Sequence, residues 1–153
     1  LTRHTVAGVA ITAPASWPNA PGPARTPPDP FAPAGVVSQP DGFFEIKLAR
    51  VALANPTQQI AAWIASEGRQ AKLDYGEVGP SASRLVALPA GWSGVELTAQ
   101  IEDELDYRQR VRVILCGRAF GDQLVVMAIE VPETVASAAP GFVVALIAAT
   151  GPA

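Results

Sequence analysis

Residues Thr5 to Thr12 alternate small and β-branched side chains, with Val9 and Ile11 on one face, and predict a strand ended by Pro14. A stronger strand is predicted over Phe43 to Leu53. There Phe44, Ile46 and Leu48 share one phase and Glu45 and Lys47 the other, which gives one core face and one wetter face. The period then changes from two to 3.6. Asn55-Pro56 supplies an N-cap side chain followed by proline at the first helical position, and Ile60, Trp63 and Ile64 fall at i, i+3 and i+4. This helix is expected to run to about Glu67, with Gly68 closing it in the left-handed conformation.

From Ser83 onward the pattern predicts a meander. Arg84 to Leu88 reads as a short strand, and the turn Pro89-Ala90-Gly91-Trp92-Ser93-Gly94 leads into Val95 to Ile101. An acidic turn follows, Glu102-Asp103-Glu104 with Asp106, then a strand over Tyr107 to Cys116, a turn over Gly117 to Asp122, and a strand over Leu124 to Val131. Pro132 and Glu133 open a helical segment with Val135, Ala139, Phe142, Val143, Leu146 and Ile147 on one face, split by Pro140. Short connections between consecutive strands require antiparallel pairing. The expected class is therefore α+β, a central antiparallel sheet flanked by helices.

The 153 residues are expected to form one domain, long enough to bury roughly two-thirds of the unfolded surface. Proline changes the picture locally. The chain has 15 prolines, roughly twice the usual share of about 5%, and nine of them lie between Pro14 and Pro40. Neither a helix nor an interior strand is expected to run through prolines at that density. Because Trp17 and Phe31 would be wasted on a linker, the stretch is read as a stiff loop at 14–40 pinned to the body by these two rings.

Charge narrows the partners. With 11 Lys plus Arg against 14 Asp plus Glu, the net charge is −3, so the cation surplus needed to grip nucleic acid or anionic lipid is missing. The lone Cys116 forms no internal disulfide and, at the end of an apolar strand, reads as a small buried hydrophobe. No transmembrane span is expected, since the longest apolar stretch, Phe142 to Ala149, is far below the ~20 residues that a bilayer requires. The start at Leu1 without methionine is compatible with a signal peptide or lipidated leader removed upstream.

Candidate chemistry is sparse. Arg108, Arg110 and Arg112 alternate along one strand, so their side chains emerge on one face about 7 Å apart. They suit either an anion site or cross-strand pairing with Glu96, and pairing is favoured because Glu96, Thr98 and Gln100 share the polar phase of the preceding strand. The carboxylates within Glu102 to Asp106 lack the spacing of a calcium loop and read as a solvated hairpin tip. One histidine, His4, and one cysteine are too few for a zinc or copper site, and no Gly-x-Ser-x-Gly elbow is present. Gly76-Glu77-Val78-Gly79 is too short and acidic to cradle phosphate. No cofactor, metal site or catalytic residue is therefore predicted. Trp63 belongs to the helix's core stripe, whereas Trp17 and Trp92 stand at loop entries, where a ring either closes the core or lines a ligand groove.

The element order, with Pro14-Ala15-Ser16-Trp17 after the first strand, the small-residue turn Pro89 to Gly94, and the passage from Gly117-Arg118 through Val131-Pro132-Glu133 to a terminal helix ending near Ala149-Thr150, resembles the PsbP-like superfamily. That group includes photosystem PsbP proteins, a Ran-binding nuclear import factor, bacterial DcrB proteins and actinobacterial LpqN-type lipoproteins. The resemblance implies a PsbP-like α/β/α sandwich. Its bacterial members further imply a non-catalytic, extracytoplasmic, often lipid-anchored accessory or binding protein whose partner is a protein or small ligand. The competing expectation is a small-molecule carrier or atypical enzyme with a groove beside the proline-rich loop. A deep apolar pocket at Trp17, Phe31 or Trp92 would favour the carrier, and a flat polar patch around Arg110 the accessory protein.

Overall fold

A computed structural model describes residues 1–22, 33–40, 43–102 and 108–153. Among the described residues, seven strands form one antiparallel sheet in the order β3 (Asn19–Pro21), β4 (Gly35–Ser38), β5 (Glu45–Ala52), β9 (Gln123–Pro132), β8 (Arg108–Phe120), β7 (Ser93–Glu102) and β6 (Val78–Pro80). A smaller antiparallel sheet runs β1 (Thr2–Val6), β2 (Val9–Ala13) and β10 (Gly151–Pro152). The helices are α1 (Pro56–Tyr75), α2 (Glu133–Ala138) and α3 (Pro140–Ala148).

Alternation along the central strands divides the interior into two cores. Ile46 and Leu48 of β5, Ile114 and Cys116 of β8, and Met127 and Ile129 of β9 face the small sheet and the C-terminal helices, meeting Val9, Ile11, Leu146 and Ile147. The opposite phase, Ala49, Val113, Leu115, Leu124, Val126 and Ala128, faces α1. Trp63 anchors that helix: its ring is fully buried and its indole N–H donates to the Met127 carbonyl at 2.9 Å. The fold is thus α+β, an antiparallel sheet covered by α1 on one side and by the small sheet with α2 and α3 on the other.

Several expected boundaries move, each for a physical reason. The predicted strand over Thr5 to Thr12 is a hairpin. Val6 pairs with Val9 across a two-residue turn in which Ala7 (φ 52) and Gly8 (φ 76) both take positive φ, a turn that the sequence marks only by glycine. The first helix does not stop at Gly68. It continues through seven more residues to Tyr75, and Gly76 (φ 75) is the residue that ends it, its N–H donating to the Lys72 carbonyl. A mid-helix glycine costs only about 1 kcal/mol relative to alanine, and the good helix formers around it carry the helix onward. The added turns cover the phase of β5 expected to be wetter, so Lys47 is buried.

Arg84 to Leu88 forms no strand, because the N–H groups of Leu85 and Val86 donate to the Glu96 carboxylate at 2.9 and 3.0 Å instead of to a neighbouring strand. The turn predicted over Gly117 to Asp122 shrinks to Gly121-Asp122, with Phe120 paired to Gln123. Pro140 does split the terminal helical segment into α2 and α3.

Within the stretch from Pro14 to Pro40, the described residues 14–22 and 33–40 include two short strands. Trp17 turns back on Pro14, its N–H donating to the Pro14 carbonyl at 3.0 Å, and its ring packs 4.9 Å from Phe44. β3 and β4 then lie within the stretch. β4 is proline-free between Pro33 and Pro40, which lets it serve as an interior strand; β3 is an edge strand and carries Pro21. Phe31 falls outside the described residues. At Gly35 a Cβ would sit 2.2 Å from Val6 Cγ1, so this glycine lets β4 pass against the small sheet.

Candidate functional site

The three alternating arginines do not share one fate. Arg112, directly opposite Thr98 in the β7–β8 ladder, is buried, and four of the five N–H donors of its guanidinium are engaged. Nη1 donates to Glu96 Oε2 and to the Ser83 carbonyl, both at 2.7 Å, while Nη2 and Nε donate to Glu133 Oε1 at 2.7 and 3.1 Å. Glu96 in turn accepts the backbone donors of Leu85 and Val86. One side chain therefore joins β7, the connection before it and the first turn of α2. Burial alone would lower the Arg112 pKa, but its bonds to Glu133 and Glu96 outweigh this and raise it. Pairing with Glu96 describes Arg112, and Glu133 is a partner that the strand pattern did not point to.

Arg110 is different. It stands opposite Gln100, exposed, and forms no ion pair among the described residues. It lines an open groove of about 660 Å³ at the β6–β7–β8 end of the sheet, together with Thr98, Gln100, Glu77, Gly79 and Pro80. A second cleft of about 350 Å³ at the same end shares Glu77 and Gln100 and adds Tyr75 and the exposed Arg108. Two of the three arginines thus face a groove, while the third fixes its frame.

Tyr75 connects that cleft to a second buried polar group, under α1. Glu45 and Glu130 are directly opposite across β5 and β9, a like-charged pair, and Lys47 lies on the same face. Its Nζ is 3.2 Å from Glu130 Oε1, 3.7 Å from Asp74 Oδ2 and 3.8 Å from Glu45 Oε1. Tyr75 Oη donates to Glu130 Oε2. Carboxylates outnumber cations here, and the pKa directions follow. Burial, reinforced by Glu130, raises the Glu45 carboxyl. Burial acts to lower the Lys47 ammonium, but Glu130, Glu67 and Glu45 more than reverse it and raise it. Burial and Glu130 push the Tyr75 phenol far above its ordinary value. This cluster was not legible in the strand pattern. The usable signal was the spacing Glu67, Asp74, Tyr75, which at 100° per residue puts all three on one side of a helix that outlasts Gly68.

The remaining candidates are internal. Trp17 and Trp92 are buried, 8% and 6% exposed; Trp92 packs edge-on against Phe120 at 6.2 Å, and Arg118 lies 4.7 Å over the Phe120 ring. Both tryptophans close the core facing the small sheet. His4 Nε2 donates to the Pro14 carbonyl at 3.2 Å. Cys116 is fully buried, which pushes its thiol up to about 12. Among the described residues no group of three or more His, Cys, Asp or Glu is placed to hold a metal ion; Asp103, Glu104 and Asp106 of the acidic turn fall outside them. No helix of the described residues is long and apolar enough to cross a membrane.

No protein-family model matches the sequence, and no curated protein matches it. The structure, in contrast, is similar to the solution structure of cyanobacterial PsbP (CyanoP) from Synechocystis sp. PCC 6803, with a TM-score of 0.60 over 99% of this chain and 92% of that one at 8% sequence identity. At that identity the likeness speaks for architecture, and it assigns this chain a PsbP-like fold.

Proposed function

We propose that this chain is a non-catalytic accessory or binding protein whose partner seats on the polar groove around Arg110. The observation that carries this reading is the contrast on one strand: Arg112 is consumed by Glu96 and Glu133, whereas Arg110 presents its charge beside Gln100 and Thr98 at an open surface. An exposed guanidinium flanked by an amide and a hydroxyl suits a carboxylate on a protein or small ligand. The extracytoplasmic, lipid-anchored setting of the DcrB and LpqN-type proteins is part of the same proposal.

Site-specific photocross-linking in the native host tests it. A photoreactive residue at Gln100 should give a discrete adduct that Arg110→Glu abolishes, while one at Ala61, on the exposed side of α1, should not. Equal labelling from both positions, or an adduct indifferent to R110E, contradicts the proposal.

A further inference from the structure

A third cleft lies on the α1 side of the same sheet edge. Its volume is about 400 Å³, within the roughly 300–1,000 Å³ of small-molecule sites. Ile64 of α1, Val95 and Leu97 of β7 and Pro80 of β6 form its apolar walls. Ser81 and Arg84 supply the polar end.

Two features make this more than a surface dent. Ser81 Oγ is buried and has no hydrogen-bond partner, a condition that native interiors avoid. Its backbone is held in place, the N–H donating to the Glu96 carbonyl at 3.3 Å. Arg84 is exposed, forms no ion pair among the described residues, and is steadied by a single bond from Nη2 to the Gly94 carbonyl at 3.1 Å, which leaves the rest of its fork available. Glu96 also borders the cleft, but its carboxylate oxygens are engaged by the Leu85 and Val86 N–H groups and by Arg112.

We infer that this cleft binds a small amphipathic monocarboxylate, with the carboxylate on Arg84, a hydrogen bond from Ser81 Oγ, and the apolar tail against Ile64, Val95 and Leu97. The site is separate from the Arg110 groove. Thr98, Gln100 and Arg110 lie in the opposite phase of the sheet from Val95 and Leu97, which pack toward α1.

Octanoate is a suitable probe, followed through backbone amide shifts of the full chain, with octylamine to reverse the head group and acetate to remove the tail. Octanoate should saturate and move the amides of Ser81, Arg84 and Leu97, with acetate binding far more weakly and octylamine leaving these amides in place. Arg84→Gln should weaken octanoate about tenfold, as expected for loss of one charge-assisted pair, and Arg84→Lys should retain most of the affinity. Ser81→Ala should weaken binding several-fold without lowering Tm, because it removes an unsatisfied buried hydroxyl. Octylamine binding as well as octanoate, indifference to R84Q, absence of saturation, or shifts centred on Gln100 and Arg110 would each overturn the inference.

Discussion

The two buried charge clusters sit on opposite faces of one sheet and solve the same electrostatic problem differently. Under α2, a single guanidinium meets two carboxylates and a carbonyl with four short bonds, and each charge has a fixed partner. Under α1, a single ammonium is shared among Glu130, Asp74 and Glu45, and the excess of acid is relieved by a phenol and by proton affinity. Asp74 and Glu45 are each 37% exposed at the side chain, so water shares the load. A planar fork holds a fixed architecture, whereas a compact ammonium tolerates a cluster that can change its protonation. The first cluster should therefore act as a rigid brace and the second as a pH-responsive one.

Removing the cation from each cluster should separate the two most widely. Arg112→Ala leaves Glu96 and Glu133 without their cation and frees the Ser83 carbonyl, and should cost about 3–5 kcal/mol in denaturant unfolding. Lys47→Met should cost less, about 2–3 kcal/mol, because Tyr75 still satisfies Glu130 and Glu45 can take up a proton. Equal losses would erase the distinction between the two clusters. Tyr75→Phe removes one hydrogen bond to a charged acceptor and should cost about 1.5–2 kcal/mol by the same measurement.

The pH dependence has a definite sign. The folded-state pKa of Glu45 is raised above 4.5, so its contribution to stability is fully present below the unfolded value and is lost as pH rises through the folded one. Wild type should lose stability relative to Glu45→Gln on going upward from about pH 4.5, and the difference should level off above the folded pKa. Lys47, also raised, contributes below 10.5 and loses its contribution only above that value, so it leaves this acidic window untouched. Urea titrations of both chains across the window measure the effect, and parallel profiles would show that Glu45 does not set the pH dependence.

What the sequence disclosed follows the same division between local and long-range causes. The central strands, the Asn55-Pro56 helix start and the Pro140 break were legible because periodicity and caps are local. Asn55 does cap α1, its side chain accepting from the Gln58 N–H at 3.2 Å. The end of that helix was not read correctly, because Gly68 resembles a stop locally, while the opposing signal, Glu67, Asp74 and Tyr75 on one helical side, shows its purpose only once Lys47 and Glu130 are brought beneath it. The Ala7-Gly8 hairpin lacked the usual Asn-Gly mark. Arg112 and Glu96 were visible as neighbours in phase, but Glu133 joins them only because α2 folds back over β8. Tryptophan position left a choice open: a loop entry does not say whether the ring closes the core or lines a groove, and Trp17 and Trp92 both turn inward.

The smallest stability change is expected where the functional effect is largest, at the exposed Arg110. On the proposed function, one strand carries a structural arginine, Arg112, and a binding arginine, Arg110, two residues apart. Denaturant unfolding of Arg110→Glu, run beside the Gln100 cross-linking assay, tests it most directly. The prediction is an unfolding free energy within about 0.5 kcal/mol of wild type together with loss of the adduct. An unfolding loss comparable to that of Arg112→Ala, or an adduct that survives the reversal of charge, would contradict it.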